Sequence, residues 1–182
     1  TACFASGPRK TMEQLATALQ KKDSKAFLAL FDMQALAAND IKNMTQESQT
    51  LSAMDSLGRE LGLGGVDKLL GSLLGDRPGD LSKSFAEGVA SGQIVEQCRI
   101  ATDAKCPWVP ESLQQAEIKE LGDRAAIARV TTPAGGTSWL ALQKIGDSWL
   151  VVGRSPAEAG AAAFALAGQA AAKPERKPVD NA

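Results

Sequence analysis

The apolar residues of this 182-residue chain change their spacing once, near Gly92, and that change fixes the class of fold open to it. Before it they recur every three to four residues, as on one face of a helix; after it they alternate in short runs between glycine-marked turns. Met12, Leu15, Ala16 and Leu19 form a stripe behind a Thr11/Gln14 capping pair. Asp23 is placed to cap a second helix with Phe27, Leu28 and Phe31, and Met33, Leu36, Ala37 and Ile41 belong to a third. Thr45 is expected to open a fourth helix, with Leu51, Met54, Leu57 and Leu61 inward, which Gly62, Gly64 and Gly65 end. Val66, Leu69, Leu70, Leu73 and Leu74 make a further stripe, read as core because its opposite face lacks the Lys and Arg of membrane-surface helices. Asp80 caps a last helix bearing Leu81, Phe85 and Val89.

Strands are expected over 93–100, 114–121, 125–132, 138–145 and 148–154. The last four are separated by Gly122-Asp123, Pro133-Ala134-Gly135-Gly136 and Gly146-Asp147, short enough for hairpins. The fold class is therefore α+β, N-terminal helices followed by an antiparallel meander. Trp139, Ala141 and Ile145 alternate with Leu140 and Leu142, so their strand is expected to be central and covered on both faces. Ser155-Pro156-Ala157-Glu158 reads as the start of an alanine-rich C-terminal helix reaching 172. With no polar face, that helix packs either across its own sheet or between subunits, and it is too weakly apolar to span a bilayer. The expected organisation is an arm over 1–10, one domain over 11–154 (helical 11–91, sheet 93–154), the helix 155–172 and a tail 173–182.

Composition narrows the chemistry. Apolar residues make up 44% of the chain, enough for a core, and the net charge of −1 comes without a basic stripe, so nucleic acid is not an expected partner. Histidine and tyrosine are absent, which removes imidazole bases, His metal sites and phenolic acids. No catalytic residue, cofactor or metal site is assigned: Asp32 with Asp40, and Asp76 with Asp80, lack the ligand density of a calcium loop, and Gly62, Gly64 and Gly65 do not spell a phosphate loop. Asn43-Met44-Thr45 matches a glycosylation acceptor, but a helix cap at Thr45 explains it equally well.

The three cysteines divide by position. Cys98 and Cys106 are close enough to pair and Cys3 is remote, so an oxidising compartment accounts for all three if Cys3 is modified; the alternative is a reduced cytosolic chain with three thiols. Thr1-Ala2-Cys3 resembles the end of the bacterial lipoprotein signal. That resemblance implies a lipid on Cys3 and a membrane partner on the periplasmic side of a bacterial envelope. By resemblance to enterobacterial sorting signals, Phe4 rather than Asp after the cysteine implies the outer membrane, with secretion as the alternative.

Residues 12–31 and 113–154 resemble the NTF2-like α+β cone: an amphipathic first helix, the short helix within Asp23-Ser24-Lys25-Ala26-Phe27-Leu28-Ala29-Leu30-Phe31-Asp32, and a closing Gly146-Asp147-Ser148-Trp149 strand. Enzymes of that family place Asp, Tyr or His inside the cone, so the resemblance implies a binding or scaffold use for a chain without Tyr or His. Candidate pocket or partner contacts are Trp108, Arg129, Trp139, Trp149 and Phe164. The expected function is a non-enzymatic, lipid-anchored binding or assembly module that meets a protein partner, or itself, through 155–172. The alternatives are a periplasmic small-molecule-binding protein or cone-type enzyme, and a subunit of an extracellular assembly.

Overall fold

The structure, a computed structural model, describes residues 7–47 and 77–167. Seven helices and four strands occupy them: α1 (Gly7–Lys21), α2 (Ser24–Leu28), α3 (Met33–Glu47), α4 (Arg77–Ser91), α5 (Gln93–Ile100), α6 (Pro110–Gln114), β1 (Glu117–Gly122), β2 (Ala125–Thr131), β3 (Thr137–Ile145), β4 (Ser148–Ser155) and α7 (Glu158–Leu166). The fold is α+β. The strands form one antiparallel sheet in the order β1-β2-β3-β4.

The alternation read from β3 has its structural counterpart. Leu140 and Leu142 join Ala128, Val130 and Val151 in the larger core under the helices, while Ala141 joins Ala125, Ile127 and Val152 on the opposite face. Strand β3 is central, paired with both β2 and β4. The second face is covered by α7, whose Ala161, Phe164 and Ala165 are buried against the sheet. Gln143 secures the end of this helix by donating its side-chain amide to the Ala165 and Ala167 carbonyls. Of the two placements open to an alanine-rich helix, the described part takes the intramolecular one; 168–172 lie outside the described residues.

Several local expectations are corrected. Residues 93–100 form helix α5 rather than a strand: Ile94 and Cys98 stand four apart, so both turn inward on one helical face, and Ile100 is left 81% exposed. The first strand begins at Glu117, because Pro110 opens the short helix α6 before it. Helix α1 starts at Gly7, and the Thr11 hydroxyl, instead of capping, donates to the Trp149 carbonyl at 2.8 Å. Thr45 lies within α3 rather than at a helix start. Ser155 ends β4 and its hydroxyl accepts from the Ala157 amide, so α7 begins at Glu158. The stripe from Val66 to Leu74 and the tail 173–182 lie outside the described residues. Among the described residues, no helix is long and apolar enough to cross a membrane.

Candidate functional site

The expected contact residues do not converge. Trp108 is 1% exposed and its ring meets Phe27, Phe31 and Phe85 edge-on at 5.4–5.7 Å between centroids, so it is a core side chain and presents no surface to a partner. Arg129 lies on the α7 side of the sheet, ion-paired to Glu117 at 2.6 Å and over the Trp139 ring, with 42% of its side chain exposed; it does not enter the main core. Trp139 pairs across from Ser155 and Trp149 from Lys144, and they pack on opposite faces of the sheet. Phe164 is buried on Gly153, where a Cβ would come within 2.7 Å of its ring. Cys3 lies outside the described residues. Cys98 and Cys106 form a disulfide.

What does converge is a polar cluster that sequence reasoning missed, where α3, β4 and the disulfide loop meet. Arg154 donates from Nε and Nη2 to the two oxygens of Asp40, at 3.2 and 2.9 Å, and from Nη1 to the Lys105 carbonyl at 2.7 Å. Its guanidinium also sits 5.6 Å from the centre of the Phe85 ring. The two side chains are only 6% and 2% exposed, so this is a buried, bidentate ion pair.

Two local features build it. The first is a register shift in β4 between the partners of Leu142 and Ala141, which leaves Val152 as an extra residue. Strict alternation from Val151 would send residue 154 to the α7 side; the bulge turns Arg154 back toward the helices, opposite Leu140. The second is the polar edge of α3. Asn39 donates to the Val152 carbonyl at 2.8 Å and Asn43 to the Arg154 carbonyl at 2.6 Å. One helical turn rises about 6 Å over four residues, close to the roughly 6.6 Å between alternate strand residues, so the two amides meet successive outward carbonyls of an edge strand. Asn43 is thereby buried and bonded, which excludes the glycosylation reading. Asp32 caps α3 through the Ala35 amide at 3.1 Å while Asp40 holds Arg154, so these two carboxylates do not share a site. The available signal was Asn39, Asp40 and Asn43 as short polar residues on one helix, with Arg154 ending an apolar strand.

The disulfide loop forms the roof. Cys98 ends its buried stretch in α5, Cys106 follows an Asp103-centred turn, and the intervening carbonyls are taken up by the sheet: Ser138 donates to Ala104 at 2.5 Å and Arg154 to Lys105. Gly136 makes the hairpin fit beneath it, since a Cβ there would stand 2.7 Å from Thr102 Cα. Just outside, Glu111 pairs with Arg99, whose side-chain hydrogen bonds hold the carboxyl below the usual carboxylate range, helped by a backbone amide and opposed by slight burial.

Open concavities lie elsewhere. A groove of about 390 Å³ runs between α1 and α2, lined by Gln14, Thr17, Lys21, Asp23, Ala26 and Leu30. Another of about 190 Å³ lies between the start of α1 and the β3–β4 hairpin, against Lys10, Asp147 and Trp149. Among the described residues no group of three or more His, Cys, Asp or Glu side chains is placed to hold a metal ion. Comparisons with protein-family models, with curated proteins and with solved structures give no match to this chain.

Proposed function

We propose that this chain is a lipid-anchored, non-enzymatic binding or assembly module of a bacterial envelope, with a body of the NTF2-like cone type. The observation that carries the binding reading is the interior. Where a cone-type enzyme keeps a cavity, the space between helices and sheet here is occupied by Trp108, Phe27, Phe31 and Phe85 together with Met12, Leu15, Leu140 and Leu142. A filled interior directs recognition to the outer surface. The envelope reading is supported by the Cys98–Cys106 bridge, which suits an oxidising compartment, and by Thr1-Ala2-Cys3.

Partner contact is assigned to the outward side of α7, where Ala159, Ala163 and Leu166 remain exposed after the opposite side has docked on the sheet. Mass spectrometry of protein taken from its native membrane tests the anchor: the expected species begins at Cys3 and carries acyl chains on its sulfur. A native species with an unacylated Cys3 thiol overturns that half of the proposal. The binding half is tested by Ala163→Glu with Leu166→Glu. The parent chain is expected to associate, with itself or with an envelope protein, in cross-linking on its native membrane, and the double variant to keep its fold, by circular dichroism, and lose that association. A parent chain that cross-links to nothing, or a variant that associates unchanged, overturns it.

A further inference from the structure

We infer that the Cys98–Cys106 disulfide is a redox-operated latch that closes residues 101–105 over the buried Asp40–Arg154 pair. The loop and the pair are held by different means. Asp40 and Arg154 sit on α3 and β4, which Asn39 and Asn43 bind together independently of the loop. Between Ile100 and Cys106 there is no regular structure beyond a turn, and Thr102, Asp103 and Lys105 point to solvent, while the core anchor Trp108 lies beyond the bridge. Among the described residues the loop is tied to the sheet by the packing of Thr102 on Gly136, the Ser138 and Arg154 hydrogen bonds and a long contact from Thr132 to the Ala101 carbonyl. A segment with so little buried apolar area opens locally at low free energy once its covalent tie is cut. Opening removes the Lys105 carbonyl from Arg154 and bares the Nη1 edge of a guanidinium that is otherwise enclosed.

The opening step is thiol–disulfide exchange with a dithiol reductant. One reductant thiol, as its thiolate, attacks Cys106 Sγ, the more exposed of the two sulfur-bearing residues, and Cys98 leaves as a thiolate that takes up a proton. The second reductant thiol gives up its proton and displaces Cys106. The protein gains two electrons and two protons, and the reductant becomes a disulfide. Reoxidation restores the latch.

Hydrogen exchange and arginine labelling on the full chain, oxidised and dithiol-reduced, test the inference. On reduction, amides of 101–106 are expected to exchange on the order of tenfold faster or more, given the entropy of releasing a short closed loop. Arg154 is expected to become reactive to a dicarbonyl reagent, read by peptide mass spectrometry, while the amides of Ile127 and Leu140 keep their protection. An Arg154 that stays unreactive after reduction overturns the latch. So does acceleration of β2 and β3 along with the loop, which would make the bridge a staple of the whole fold. Ser138→Ala in the oxidised protein separates covalent from hydrogen-bonded closure: Arg154 is expected to stay protected, and labelling with the disulfide intact would overturn the proposal.

Discussion

Asp40 and Arg154 pair as opposite charges in a place nearly closed to water, so the consequences of removing one partner differ from those of removing both. Asp40→Ala strands an enclosed guanidinium whose other acceptor is a single carbonyl, and is expected to destabilise the fold by about 3–5 kcal/mol in denaturant titration. Asp40→Leu with Arg154→Met replaces both charges by apolar groups of similar bulk and is expected to recover most of that loss. Equal losses in the single and double variants would show that the pair acts through shape rather than charge. The exposed pair nearby behaves differently. The folded-state pKa of Glu111 is lowered by Arg99, so its stabilisation is complete above the ordinary glutamate pKa and lost as pH falls through the lowered value. Both side chains are nearly half exposed, so Glu111→Gln is expected to cost less than about 1 kcal/mol at pH 7. That difference should vanish in strong acid, and a Gln variant less stable by the same margin at pH 2–3 would rule the linkage out.

At the scale of elements, α3 works as a cover for the open edge of β4. Upstream, the Leu30 carbonyl and the Asp32 amide make a short parallel bridge to Val151; further along, Asn39 and Asn43 take the next carbonyls, so the edge is closed over its buried length. Replacing either asparagine by leucine leaves a buried carbonyl unsatisfied, at an expected cost of about 1–3 kcal/mol. Gly153, between them, lets Phe164 of α7 approach the sheet, and Gly153→Ala is expected to cost about 1–3 kcal/mol and to loosen α7 selectively. Exchange protection of α7 that matches the parent protein would contradict this. Strands β2, β3 and β4 were legible because Gly135 and Gly146, at φ of 93° and 64°, sit in short connections between alternating runs. Helix α5 was not: Ile94, Val95 and Ile100 carry strand propensity over only eight residues, and packing of Ile94 and Cys98 decides for helix. The polar cluster was illegible for a different reason. Asp40 and Arg154 are 114 positions apart, and a bulge that no local pattern announces sets the direction of Arg154.

For the molecule as a whole, the question is what fills the space between the sheet and the helices before it. Four rings do so at a point where α2, α4 and the segment after the disulfide meet: Phe27, Phe31, Phe85 and Trp108 each contact the other three. Beneath them the core continues without interruption into Leu113, Leu140 and Leu142. Because described side chains fill this space, its lack of room for a ligand is testable by subtraction. Trp108→Ala removes the largest fully buried side chain and is expected to cost about 3–5 kcal/mol, since the remaining rings are held by α2, by the bridge from Phe31 to Val151 and by α4 and cannot collapse into the gap. The resulting apolar cavity should stay dry and accept a benzene-sized ligand, raising the melting temperature of the variant and leaving that of the parent protein unchanged. A parent chain that is itself stabilised by such ligands would mean that the interior already holds usable space. The recognition surface proposed above would then move from the outer side of α7 to the inside of the fold.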